Sequence, residues 1–295
     1  MRLGVVILPE RVWPHDRRWQ LAEELGFDSA WTYDHLWWRA MSDEPWFGTV
    51  PVLTAAALST GRIQLGTLVA TPNFRHPCVL AKDAMTLDHM SNGRFLLGLG
   101  AGSAGTGDAT VLDRVPLAAD ERADRFEEFV TLTDRLLRTP VTRFEGRHYW
   151  AHEARMLPGC LQKPRLPLVI AGPGPRGASL AARFGQAWVT LGPAYRDGVP
   201  DPERCFRAVR RQLARLRAAC EAADRAVTDL DTIFVVTDPA ALASPAACLD
   251  HAARYAAAGI THIVFHWPRA SGVYSGDEEG FAGLVSDVRA ELADL

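Results

Sequence analysis

The chain has 295 residues, 48% hydrophobic and 23% charged, the balance of a folded protein with a sizeable core, so disorder is not expected over most of it. A formal net charge of -3, with no basic stretch interleaved with aromatics, offers no attraction to phosphate backbones or anionic lipid, which argues against nucleic-acid and membrane-surface roles. The five cysteines, Cys78, Cys160, Cys205, Cys220 and Cys248, are odd in number and never spaced C-x-x-C, which argues against metal ribbons and disulfide frameworks.

The first element is the apolar run Leu3 to Leu8, the pattern of a strand buried on both faces. It is too short for a signal-peptide core or a membrane span, and a cytoplasmic location is expected. Asp16 opens a helix with Trp19, Ala22 and Leu25 on one face, closed by Gly26. Ser29 to Tyr33 is a second strand, followed by an aromatic loop and a helix over Val52 to Ser59. Ile63 to Val69 is a third strand and Val79 to Met90 its helix. Phe95 to Leu99 is a fourth, running into a glycine-rich loop before a helix from about Asp120 to Leu137. The polar and aromatic stretch from 143 to 158 reads as a hairpin-like insertion after the fourth unit. Strands follow at Leu168 to Ala171, Ala187 to Leu191, Thr232 to Thr237 and Ile260 to His266, each with a helix behind it. Eight β-α units with no linker between them predict one (β/α)₈ barrel domain over residues 1–295.

The stretch Gly100-Ala101-Gly102-Ser103-Ala104-Gly105 has the G-x-G-x-x-G spacing of a dinucleotide-binding loop. That loop needs a helix starting at the third glycine, and the next convincing helix lies about fifteen residues on, past Pro116. The glycines therefore read as a strand end where backbone approaches a flat ligand closely. A metal hydrolase on the same barrel would need clustered His and Asp at several strand ends, and the first strand ends in Leu8-Pro9-Glu10, so no metal is expected.

The strand ends taken together are Tyr33-Asp34-His35-Leu36-Trp37-Trp38, Thr67-Leu68-Val69-Ala70-Thr71-Pro72-Asn73-Phe74-Arg75, the glycine loop, and Ala171-Gly172-Pro173-Gly174-Pro175-Arg176. In order and spacing this series resembles the bacterial luciferase-like family of flavin- and deazaflavin-dependent barrel oxidoreductases. The resemblance implies a tricyclic cofactor across the barrel mouth, and a homodimer. It implies Asp34 and His35 beside the ring as the catalytic candidates, and a non-prolyl cis peptide at Leu68-Val69 lined by Thr67 and Thr71. Gly100, Gly102 and Ser103 would lie along the ring, and Gly172, Gly174, Pro175 and Arg176 would receive the phosphate. The 8-hydroxy-5-deazaflavin coenzyme F-420 (F420) is favoured, with FMN the alternative.

Where the sugar-phosphate dehydrogenases of this family place a glutamate after the fourth-strand glycines, the chain has Ser103. A hydroxyl cannot replace a carboxylic acid with a pKa of about 4, so that acid is not carried over. His35 becomes the candidate for proton transfer, since imidazole titrates near neutrality. Trp37, Trp38, Trp46 and His266 are candidate walls of a substrate pocket. The expected function is F420-dependent hydride transfer to a C=C or C=N bond of a small organic or secondary-metabolite intermediate. An FMN-dependent monooxygenase and a non-catalytic flavin-binding barrel are the alternatives.

Overall fold

The apolar runs become strands because each is covered on both faces, by side chains inside the sheet and by helices outside. The computed structural model describes residues 1–38, 41–102, 104, 107–112, 115, 117–193 and 201–295. In chain order the strands are β1 (Arg2–Val6), β2 (Ser29–Thr32), β3 (Gln64–Thr67), β4 (Phe95–Gly100), β5 (Val141–Glu145), β6 (Trp150–Arg155), β7 (Leu168–Ala171), β8 (Ala187–Thr190), β9 (Asp231–Val235) and β10 (His262–His266). Eight of them close into a parallel barrel in the order β1-β10-β9-β8-β7-β4-β3-β2. β5 and β6 pair antiparallel as a separate hairpin at the place read as an insertion. The closed barrel agrees with the (β/α)₈ expectation and excludes the open dinucleotide-binding sheet.

The helices are α1 (Arg18–Glu24), α2 (Thr49–Ser59), α3 (Pro77–Met90), α4 (Gly107–Thr110), α5 (Ala119–Arg138), α6 (Pro175–Phe184), α7 (Pro202–Ala222), α8 (Pro245–Ala258) and α9 (Glu278–Asp294). Proline stands in the first turn of α3, α6, α7 and α8, where its missing N–H costs nothing. Asp201, Ser244 and Asp277 cap α7, α8 and α9 through their side chains. α8 stops at Gly259, whose φ of 107° suits glycine. Several helices start a few residues before the first apolar position, because their opening turns are polar or prolyl. The short α4 lies inside the segment read as a structureless loop. It is four residues long and carries no apolar period to announce it.

Alternate strand residues sort into two layers. Val6, Trp31, Leu96, Val169, Val235 and Val264 fill the barrel. Val5, Phe95, Leu97, Ile170, Phe234 and Phe265 face the helices. Tyr33, Trp38, Trp46, Val69 and Tyr274, partly buried, pack against the inner layer. Among the described residues no helix is long and apolar enough to cross a membrane.

Candidate active site at the barrel mouth

The candidate residues follow β2, β3, β4 and β7, and these four strands are consecutive neighbours in the barrel. The loops thus form one continuous arc of the rim at the strands' carboxyl ends, where barrels carry their chemistry.

Asp34 and His35, adjacent in sequence, have different partners. Asp34 is 1% exposed and receives a fork from Arg75, Nε to Oδ2 at 2.9 Å and Nη2 to Oδ1 at 2.6 Å. Arg75 in turn stays firmly protonated: its burial opposes the charge, but the hydrogen bonds and field of Asp34 outweigh it. Nearby, burial raises the Asp83 carboxyl above its ordinary range, with Arg75 acting against that rise. His35 turns Nδ1 onto Oδ2 of Asp108, a residue absent from the sequence reading. Asp108 is 1% exposed, and its Oδ1 accepts the Leu36 N–H at 2.7 Å. The indole of Trp46 donates to the His35 carbonyl at 2.8 Å.

Thr67 and the glycines of β4 form a tight seam. The Thr67 hydroxyl donates to Gly98 O at 2.9 Å and accepts from Gly98 N at 3.0 Å, so it ties β3 to β4. The Leu68-Val69 peptide is cis, as the resemblance implies. A Cβ at Gly98 would lie 2.0 Å from Thr67 O, and one at Gly100 would lie 2.5 Å from Val69 Cγ2. These glycines therefore make room for the end of β3 rather than directly for a ligand. Gly102 has φ +72° and lies against Asn73, whose Oδ1 accepts from Arg125 at 2.7 Å. Thr71 Oγ1 accepts from Asn73 N at 3.3 Å. Leu68 belongs to the inner layer of the barrel. Ser103 lies outside the described residues.

At β7 the backbone comes close to a helix start. A Cβ on Gly172 would meet Gly177 Cα at 2.5 Å, and one on Gly177 would meet Gly172 Cα at 2.4 Å. The first turn of α6 is pressed onto the strand end, with Pro175 in that turn. Gly174 precedes it without a side-chain cap, and the space beyond its Cα is open. A helix start without a side-chain cap, next to a glycine with open space at its Cβ position, suits an anion such as a phosphate. Arg176, expected to face that anion, pairs instead with Asp124 at 2.7 Å and Glu127 at 3.1 Å on α5.

The mouth is aromatic where β2 and β10 flank β1. Tyr33 reaches across β1 to His266, Oη to Nε2 at 2.6 Å. His266 Nδ1 meets Val236 O at 3.2 Å, so Nδ1 carries the proton and Nε2 accepts from Tyr33. Burial pushes its pKa down to about 3 and keeps the ring neutral. Tyr274 stacks on His266 with centroids 3.6 Å apart, and Trp38 lies parallel to Tyr274. His266 is therefore held inside a stack. Trp37 packs on Gly107, where a Cβ would lie 1.8 Å from its ring. The sequence reading passed over Asp108, Arg75, Tyr33 and Tyr274. Arg75 and Tyr33 lie within quoted strand-end motifs, whereas Tyr274 carried no signal.

A family model described as luciferase-like monooxygenase matches residues 10–278. The F420-dependent glucose-6-phosphate dehydrogenase of Microbacterium testaceum is 33% identical over 224 residues, 73% of this chain and 61% of that protein. The chain spans 61%, 60% and 64% of three curated relatives of that name. Among solved structures, an F420-dependent secondary alcohol dehydrogenase in complex with an F420-acetone adduct has a TM-score of 0.80 at 18% identity, covering 97% of each chain. A monooxygenase from Streptomyces bottropensis has a TM-score of 0.75 at 22% identity, covering 99% of this chain and 98% of the other. At such identities these two likenesses speak for the fold alone.

Proposed function

The chain belongs to the luciferase-like monooxygenase family, and from that premise we propose that it is a coenzyme F420-dependent oxidoreductase with His35 as its proton-transfer residue. The observation that carries this reading is the pair of roles held apart at the mouth. Asp34 is neutralised by Arg75, while His35 is oriented by its own carboxylate. The F420-dependent names of relatives about a third identical over the matched stretch favour F420 over FMN.

Two features support a ring carrying a phosphate. Gly174 and the uncapped first turn of α6 would hold the phosphate, and the Val69 side of the β3–β4 seam would back the ring. When bound, the deazaflavin supplies a carbon that accepts or gives a hydride. His35 supplies the accompanying proton, and the Trp38, Trp46 and Tyr274 rings exclude water beside it. This aromatic wall and Ser103 favour an uncharged organic substrate with a C=C or C=N bond over a sugar phosphate.

Parallel titrations with F420 and FMN test the cofactor, with tight binding of F420 alone expected. Oxidation of reduced F420 is then followed against enones, imines and glucose 6-phosphate. Turnover with the sugar phosphate alone would overturn the substrate class. Oxygen consumption with reduced FMN, together with selective FMN binding, would favour the FMN-dependent monooxygenase alternative.

A further inference from the structure

We propose that Asp108 is a positioning residue that determines which nitrogen of His35 exchanges the substrate proton, an inference that rests on the hydride-transfer reading above. Three consecutive residues after β2 dock onto the first turn of α4. His35 Nδ1 meets Asp108 Oδ2, Leu36 N–H meets Asp108 Oδ1 at 2.7 Å, and the Trp37 ring covers Gly107 so closely that no Cβ fits there. The carboxylate is thus held at both oxygens and from behind. At 1% exposure it has little water to turn toward.

A carboxylate only accepts, so Nδ1 must be the donor, and the proton that comes and goes belongs to Nε2. The other charged groups around His35 are committed elsewhere. Asp34, on the His35 loop, is forked by Arg75 from the loop after β3, and Asp83 on α3 also faces Arg75. Tyr33, whose ring is edge-on to His35, bonds His266 instead.

In the reductive direction, with reduced F420 as hydride donor, Nε2 of the imidazolium would give its proton to the atom of the C=C or C=N bond that does not receive the hydride, and the oxidised cofactor would release its own ring proton to solvent. His35 is left neutral and solvent reprotonates it. In the oxidative direction the neutral Nε2 takes that proton.

Asp108→Asn tests this. The Leu36 N–H demands an acceptor, so the amide oxygen takes the Oδ1 place and the NH₂ faces Nδ1 of His35. Nδ1 then has to accept, the neutral ring carries its proton on Nε2, and the imidazolium is opposed. The expected loss in kcat is about 10²-fold or more, with the F420 dissociation constant and substrate KM within about threefold and the pH profile of kcat altered. Long-range ¹⁵N NMR of the histidine rings, assigned by the signal lost in His35→Gln, is expected to show Nδ1–H in the neutral native enzyme and Nε2–H in the variant. An unchanged kcat and pH profile in Asp108→Asn would overturn the proposal, as would Nε2–H in the native protein, which needs no variant to fold. If the native protein ignores F420, the functional reading falls, while the exchange of tautomers still supports Asp108 as the residue that positions His35.

Discussion

Replacing the β4 glycines one at a time distinguishes a seam built for backbone from one built for a ligand. In Gly98→Ala the new methyl carbon would sit 2.0 Å from Thr67 O, whereas carbon and oxygen normally approach to about 3.3 Å. Strands β3 and β4 would have to separate by about 1.3 Å to restore that contact. Three hydrogen bonds cross the same point: Ala70 N to Gly98 O at 2.8 Å, Thr67 Oγ1 to Gly98 O at 2.9 Å, and Gly98 N to Thr67 Oγ1 at 3.0 Å. Their loss costs about 3 kcal/mol and overpacking about 1–3 more, giving about 4–6 kcal/mol. At about 2 °C per kcal/mol the melting temperature falls by about 8–12 °C. Gly100→Ala meets the end of a side chain, Val69 Cγ2 at 2.5 Å, and is expected to cost only about 1–3 kcal/mol, partly relieved in the double variant with Val69→Ala. Gly61→Ala, with nothing within 4 Å of its Cβ, is the control. The assay is thermal unfolding followed by circular dichroism, without cofactor. If Gly98→Ala melts within about 2 °C of the native protein, the seam is not what these glycines serve.

Arg75→Met strands the buried Asp34 and is expected to cost about 3–5 kcal/mol in urea unfolding, with much of that recovered by adding Asp34→Asn. His266, whose pKa burial pushes down from 6.5 to about 3, stabilises the fold fully above pH 6.5. As pH falls from 6.5 toward 3 the unfolded chain takes up the proton first, and stability drops by up to about 1.36 kcal/mol per pH unit. His262, also pushed to about 3, adds a like slope, so His266→Gln is expected to keep about half of the pair's contribution in a pH series of unfolding midpoints. Arg176→Ala is expected to change the F420 dissociation constant by less than about twofold, because its guanidinium is spent on Asp124 and Glu127. Gly172→Ala forces the first turn of α6 off β7 and is expected to weaken F420 about tenfold, an effect of about 1.4 kcal/mol in the same titration.

The barrel was legible because each parallel strand carries an apolar run, and the spacing of eight such runs leaves few ways to arrange them. The arc of strand ends was legible for the same reason, since neighbours in the chain's β-α order are neighbours in space. What one strand end does to the next was not. Asp108 meets His35 across 73 positions, a pairing set by how two rim loops fold, and α4 is too short to show a period. The glycines at 98 and 100 announce that space is needed, but no residue type says whether a ligand or a neighbouring chain fills it. Arg176 follows a glycine loop as a phosphate ligand would. Its direction was decided by two carboxylates on α5, a helix whose facing side the motif does not encode.

The charges around the mouth bear on how far this site can share the substrates of its sugar-phosphate relatives. Binding a phosphate monoester dianion requires cations that are free, or cheaply freed. Arg75 is forked onto Asp34, and Arg269 bridges Glu10 and Glu44. The only two lysines of the chain, Lys82 and Lys163, bond backbone carbonyls of Arg155 and Cys160. Taking Arg75 for a substrate would leave Asp34 buried and alone, at about 3–5 kcal/mol, which is most of the binding energy of a millimolar ligand. The uncharged substrate proposed above would meet no such cost. Among the described residues, the pairing that stabilises the rim thus supports the uncharged substrate class proposed above.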